Sequence, residues 1–180
     1  DLPADMSLGT IQVAFHVVYV DYFGFFQEGL LTQADIDAQI DALNAAYDNV
    51  DFVLASTSFT NNEDWFLHFP GSTDERNMKL ALGADSSRFL NIYSTGLSYQ
   101  GLLGYATFPW NRRRSPELDG VVIAYDSVPA PTGLPPYDEG DTAVHEVGHW
   151  LGLFHTFQGG CSNRNDAVSD TPAEAQPYYG

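Results

Sequence analysis

The segment His145-Glu-Val-Gly-His-Trp-Leu-Gly-Leu-Phe-His155 constrains this chain more than any other part of it. His145 and His149 are four residues apart, so on a helix they lie on one face, about one turn apart. Two imidazoles placed in this way can reach one ion at the usual Zn–N distance of ~2.0–2.1 Å. Glu146 is one step round from His145, outside that coordination shell but beside the place of a metal-held water, which suits a general base. His155 lies six residues beyond His149, and on a continuing helix it would point away. The helix is therefore predicted to stop. Gly152 permits the stop, because glycine takes the left-handed C′ conformation without a Cβ penalty. The chain then turns and brings His155 back as a third ligand. Three neutral imidazoles leave a fourth zinc position open, the arrangement of a catalytic site rather than a structural one.

A chain of 180 residues, 44% of them apolar and 14% aromatic, can bury a real core and reads as one domain over 1–180. Its longest apolar run, Val13 to Val20, contains His16 and falls well short of the ~18–20 residues that span a bilayer. Asp1-Leu-Pro-Ala-Asp5 has neither a basic region nor a long apolar one, so no signal peptide is present, whether removed or never there. The formal charge of −17 disfavours nucleic acid and anionic membrane surfaces as partners. It serves solubility, with attraction of basic substrates and binding of divalent cations as the functional readings. Three of the seven basic residues stand together as Arg112-Arg113-Arg114, an exposed loop that would also be a cleavage site for an arginine-preferring protease.

Strands and helices alternate along the chain. Ile11 to Val20 is rich in β-branched and aromatic residues and reads as a buried strand. Thr32 to Tyr47 reads as a helix capped by Thr32, with Ile36, Ile40, Leu43 and Tyr47 on one face. Phe52 to Phe59 alternates as a strand, Thr73 to Leu82 can form a helix ending at Gly83, and Phe89 to Tyr93 reads as a central strand. Leu102 to Phe108 and Asp119 to Tyr125 read as further strands, and a proline-rich loop over 129–136 leads into a helix from about Asp138 to Leu151. This order predicts an α/β fold with a mixed, mainly parallel sheet. Leu102, Leu103, Gly104, Tyr105 and Ala106 are the candidates for an edge strand that binds an extended substrate by strand addition, since Gly101 and Gly104 would let a backbone approach. An ordinary sheet strand is the alternative. His16 reads as a satisfied core histidine in mid-strand, and His68 as a loop residue without a role.

The histidine segment resembles that of the metzincin zinc proteases. Its flanks, Gly140-Asp-Thr-Ala-Val before it and Thr156-Phe-Gln-Gly-Gly-Cys161 after it, look like the pappalysin family. So do Phe15-His-Val-Val-Tyr19, Leu90-Asn-Ile-Tyr93, Leu102-Leu-Gly-Tyr-Ala-Thr-Phe-Pro109, Asp119-Gly-Val-Val122 and Asp170-Thr-Pro-Ala-Glu174. The resemblance implies a five-stranded sheet with a backing helix and an active-site helix, and secretion into the extracellular space as a zymogen. It further implies zinc on His145, His149 and His155, with Glu146 activating a zinc-bound water to cut protein or peptide substrates. It also suggests calcium in the loop that carries Asp166, Asp170 and Thr171, where hard oxygen ligands stand at short spacing. A solvated acidic loop is the alternative there.

One departure qualifies the match. Metzincins place a methionine turn beneath the metal after the third histidine, whereas this chain has only Met6 and Met78, both upstream. The resemblance places that turn, a last helix and a disulfide partner for the lone Cys161 beyond Gly180. The rival to an active endopeptidase is accordingly an inactive zinc-binding fragment, or one piece of a nicked or truncated protease. Another metzincin family would require a different residue after His155, where this chain has Thr156-Phe157.

Overall fold

The long run of β-branched residues near the start forms β1, Thr10–Tyr22, the spine of the fold in a computed structural model. The structure describes residues 9–162, 165–169 and 171–177. β1 pairs in parallel with β3 (Asp51–Asn61) on one side and with β4 (Phe89–Thr95) on the other. β4 pairs in parallel with β6 (Val121–Ala124), and β6 pairs antiparallel with β5 (Gly104–Ala106), which ends the sheet. A short hairpin strand, β2 (Phe26–Glu28), pairs antiparallel with the end of β1, and the Glu28 carboxylate accepts from the Tyr99 and Tyr125 hydroxyls. The six-stranded sheet is mixed but mainly parallel, as its alternating order predicts. The hairpin adds a strand to the five that the resemblance implies.

Alternate residues of β1 face opposite layers. Val13, Phe15 and Val17 pack with Ile36, Ile40 and Leu43 of α1 (Gln33–Ala46) and with Ala143 and Val147 of α5 (Asp141–Leu151). Val18 and Val20 face the other side, with Phe66 of α2 (Glu63–Phe66), Met78 of α3 (Thr73–Leu82), Tyr93 and Leu97. Thr32 caps α1 as predicted, in a reciprocal capping box: its hydroxyl accepts from the Asp35 amide, and the Asp35 carboxylate accepts from the Thr32 amide. α3 ends at Gly83 as expected, but Gly83 has φ −59° and does not take the left-handed conformation. What Gly83 supplies is room, since a Cβ there would stand 2.6 Å from the Lys79 carbonyl oxygen.

The predicted strand over Leu102–Phe108 is shorter than expected. Gly101 closes a 3-10 turn in the left-handed region, and Pro109 opens a short helix, α4 (Pro109–Arg112), so only Gly104–Ala106 remains as strand. One ladder bond persists beyond each end: the Ala124 amide donates to the Leu103 carbonyl at 2.7 Å, and the Thr107 amide donates to the Gly120 carbonyl at 3.0 Å.

Candidate active site

Helix α5 runs beneath β5 and β6 and carries the first two histidines. Its N-terminus is fixed by Gly140, whose carbonyl accepts from Gln39 Nε2 at 3.0 Å, and by Tyr47, whose hydroxyl donates to the Val144 carbonyl at 2.8 Å. On its outer flank Trp150 Nε1 donates to the buried Asp119 carboxylate at 3.1 Å, tying the helix to the start of β6. The helix ends where predicted. Gly152 has φ +107°, and its amide and that of Leu153 donate back to His149 and Gly148 at 2.9 Å.

The turn brings His155 back onto the helix face. Its Nε2 stands 3.0 Å from His145 Nε2 and 3.1 Å from His149 Nε2. Nitrogens bound to one tetrahedral zinc stand about 3.3 Å apart, so these positions fit a shared ion with little movement. The proton inventory points the same way. His149 Nδ1 lies 2.7 Å from the Leu153 carbonyl, which can only accept, so the ring proton sits on Nδ1 and the Nε2 lone pair faces the centre of the trio. Burial, together with the neighbouring imidazoles, holds His145 below the ordinary imidazole range and favours the neutral ligand form. Among the described residues, this trio is the one group of three or more His, Cys, Asp or Glu side chains whose ligand atoms converge, all within 4.8 Å of one another.

Glu146 is buried beside the trio, in a cleft of about 500 Å³ that also takes in Gly104, Ala106, Phe108, His149 and His155. Burial raises its carboxyl to about 7; a dication nearby would favour the carboxylate. The side chain has room only because residue 104 is glycine: a Cβ there would meet Glu146 Cγ at 2.7 Å and Oε1 at 3.1 Å. Gly101, the other glycine expected to admit a backbone, has no atom within 4 Å of the place of a Cβ and serves its turn instead.

Several participants carry no sequence signal. The Leu153 carbonyl is a backbone group. Phe108 flanks His149 with ring centroids 5.3 Å apart, and Phe157 stacks on His155 at 4.9 Å. These aromatics wall the imidazoles, and only the folded chain shows it. Of the residues suggested for calcium, Asp166 is buried and its carboxylate accepts from the Val168 amide at 3.2 Å, while Thr171 is partly exposed. Asp170 lies outside the described residues. Cys161 is exposed, and its thiol donates to the Ala173 carbonyl at 3.5 Å. Among the described residues, no helix is long and apolar enough to cross a membrane.

Residues 80–178 match the profile of the peptidase family described as Pregnancy-associated plasma protein-A. An extracellular metalloprotease of Pyricularia oryzae is 39% identical over 99% of this chain and 62% of its own length. One from Colletotrichum graminicola is 41% identical over 95% of this chain and 60% of its own. The chain thus spans about three fifths of the length of these curated relatives. Tannerella forsythia mature mirolysin, solved with a cleaved peptide, superposes with a TM-score of 0.77 at 30% identity, over 96% of this chain and 73% of that one. Promirolysin from the same organism gives 0.75 at 31%, over 93% and 64%. With the family profile matched over the segment that contains the histidine trio and Glu146, the chain belongs to the pappalysin family of metallopeptidases.

Proposed function

We propose that this protein is a secreted, extracellular zinc endopeptidase, that residues 1–180 belong to one catalytic domain, and that His145, His149 and His155 hold the metal. The observation that carries the proposal is the convergence of three imidazole nitrogens beside a buried carboxylate, under the free edge of a sheet. Zinc held there supplies Lewis acidity to a carbonyl and to a water. Glu146 lies in the same cleft, where it takes the proton of the attacking water and passes it to the leaving nitrogen. Its low exposure keeps competing water away from that proton. The substrate backbone lies along β5 as an added strand, which holds the scissile bond over the trio. Support for a peptide substrate comes from the mirolysin structure with a cleaved peptide, and for secretion and a zymogen stage from the names of the fungal relatives and of promirolysin.

The test is metal analysis and peptide cleavage on the full-length protein. Wild type should carry about one equivalent of zinc and His149→Ala should lose it. Glu146→Gln should keep the zinc and lose cleavage by ~10²-fold or more. Wild-type rates from Glu146→Gln would place the base elsewhere, and a protein that takes up other metals but no zinc would remove the metal assignment.

Calcium in the loop around Asp166 and Thr171, with Asp170, is proposed on the same footing, as is a disulfide for Cys161. The buried Asp166 carboxylate and the overall charge of −17 support the cation. A ligand that binds only the folded state must raise the melting temperature, so excess calcium should stabilise the protein relative to a calcium-selective chelator at constant ionic strength. Identical melting curves would end the proposal.

A further inference from the structure

β5 has a cavity on each of its two faces. The histidine cleft lies on the α5 side, and a second cavity of about 410 Å³ lies on the α3 side, lined by Glu75, Lys79, Thr107, Asn111, Arg114 and Ser115. Tyr105 and Ala106 line both, so the two cavities adjoin across the sheet edge itself.

The ladder register fixes what an added strand would present to each. Leu103 and Thr107 spend their backbone bonds on β6, and Tyr105 pairs with Val122 in the same phase. In an antiparallel ladder the intervening residues turn their N–H and C=O groups the other way, so Gly104 and Ala106 offer theirs at the free edge. A peptide bonded there has residues opposite Gly104 and Ala106 that face the histidine cleft. The residue between them, opposite Tyr105, shares the face of Tyr105 and enters the second cavity.

The charges of that cavity are unequal. Lys79 is neutralised by Glu75 at 2.8 Å. Arg114 is exposed, and among the described residues no carboxylate lies within 4.0 Å of its guanidinium. Asn111 and Ser115 line the same cavity as further polar residues. We propose that this second cavity is a specificity subsite, and that it takes an acidic side chain, Asp or Glu, of the substrate residue that faces away from the metal. The inference rests on the peptidase reading and on strand addition to β5. A chain of net charge −17 favours basic peptides overall. A preference for acid at one position runs against that field and can come only from a local group.

Peptides that differ only by Glu, Gln or Lys at each position around the cleaved bond are assayed with the full-length protein. One position should favour Glu over Lys by roughly two- to fivefold in kcat/KM, the range for a solvent-accessible ion pair. Arg114→Ala should remove that discrimination and Arg114→Glu should invert it. Arg113→Glu makes the same change of charge one residue away, outside the cavity lining, and should preserve it. Cleavage with no acid-preferring position, or a preference that survives Arg114→Glu, overturns the subsite and leaves the peptidase reading standing. Absence of cleavage of every peptide overturns both.

Discussion

A Cβ on Gly104 would stand 2.7 Å from Cγ of Glu146. The edge strand and the base are thus in contact across the cleft, and the base keeps its position only because the strand yields a side chain there. Gly104→Ala must push Glu146 or Thr142, whose Cγ2 lies 3.1 Å from the same point. Overpacking of this kind costs about 1–3 kcal/mol, and at this place it falls on the proton-transfer geometry. We expect kcat for peptide cleavage to drop by about tenfold or more, since small misplacements of a reacting group are costly, while the metal content stays at the wild-type level. Unchanged kcat with full metal would show that Glu146 does not need this space.

The histidine segment was legible because its chemistry is written in local spacing. A helical turn relates His145 to His149, and a glycine at the right offset returns His155. The capping box at Thr32 and Asp35 was only half legible: the cap could be read, but the reciprocal bond depends on the Asp35 rotamer. Long-range partners were not legible at all. His68, read as a loop residue without a role, is buried and hydrogen-bonded through Nδ1 to the Trp65 carbonyl at 2.7 Å and through Nε2 to the Tyr105 hydroxyl at 2.8 Å. Tyr105 is 37 residues away, and nothing in the text around either residue announces the other. The extent of β5 is hidden in the sequence for a related reason. Leu102 to Phe108 has strand composition throughout, but its length is set by the turn at Gly101 and the helix opened by Pro109.

His16 is a satisfied core histidine, with a partner for each ring nitrogen. Nε2 faces the Asn91 side-chain oxygen at 3.1 Å, an acceptor, so it carries the proton, and Nδ1 accepts from the Ser58 hydroxyl at 2.8 Å. Burial, the larger effect, lowers its pKa from 6.5, against the opposing bond to Asn91. The group's neutral form is therefore favoured in the fold, and its contribution to stability is present above pH 6.5. As the pH falls below 6.5 the unfolded chain takes up the proton first, and stability declines until the folded pKa is reached. The free energy of unfolding, measured from pH 8 to pH 5, should fall more steeply in wild type than in His16→Gln; the comparison cancels the other histidines. Equal slopes would mean that His16 titrates alike in both states.

Lys79 anchors the polar layer on the α3 face of the edge strand. The residue is buried, and its ammonium donates to Glu75 Oε1 at 2.8 Å and to the Leu118 carbonyl at 3.0 Å. It also lies 5.8 Å and 5.4 Å from the ring centroids of Tyr93 and Tyr105. Burial pushes the Glu75 carboxyl up, and Lys79, the Gly71 amide and the Tyr105 hydroxyl together pull it below its ordinary range. Lys79→Met fills the same volume but strands that carboxylate with only the amide and the hydroxyl. Removing one partner of a buried ion pair typically costs about 3–5 kcal/mol, and chemical denaturation of Lys79→Met should show a loss of that size. Replacing both groups removes the stranded charge, so Lys79→Met combined with Glu75→Gln should be destabilised by less than the sum of the single variants. If Lys79→Met unfolds within about 0.5 kcal/mol of wild type, the scale of a surface substitution, the pair does not hold α3 against the face of β5 opposite the histidine cleft.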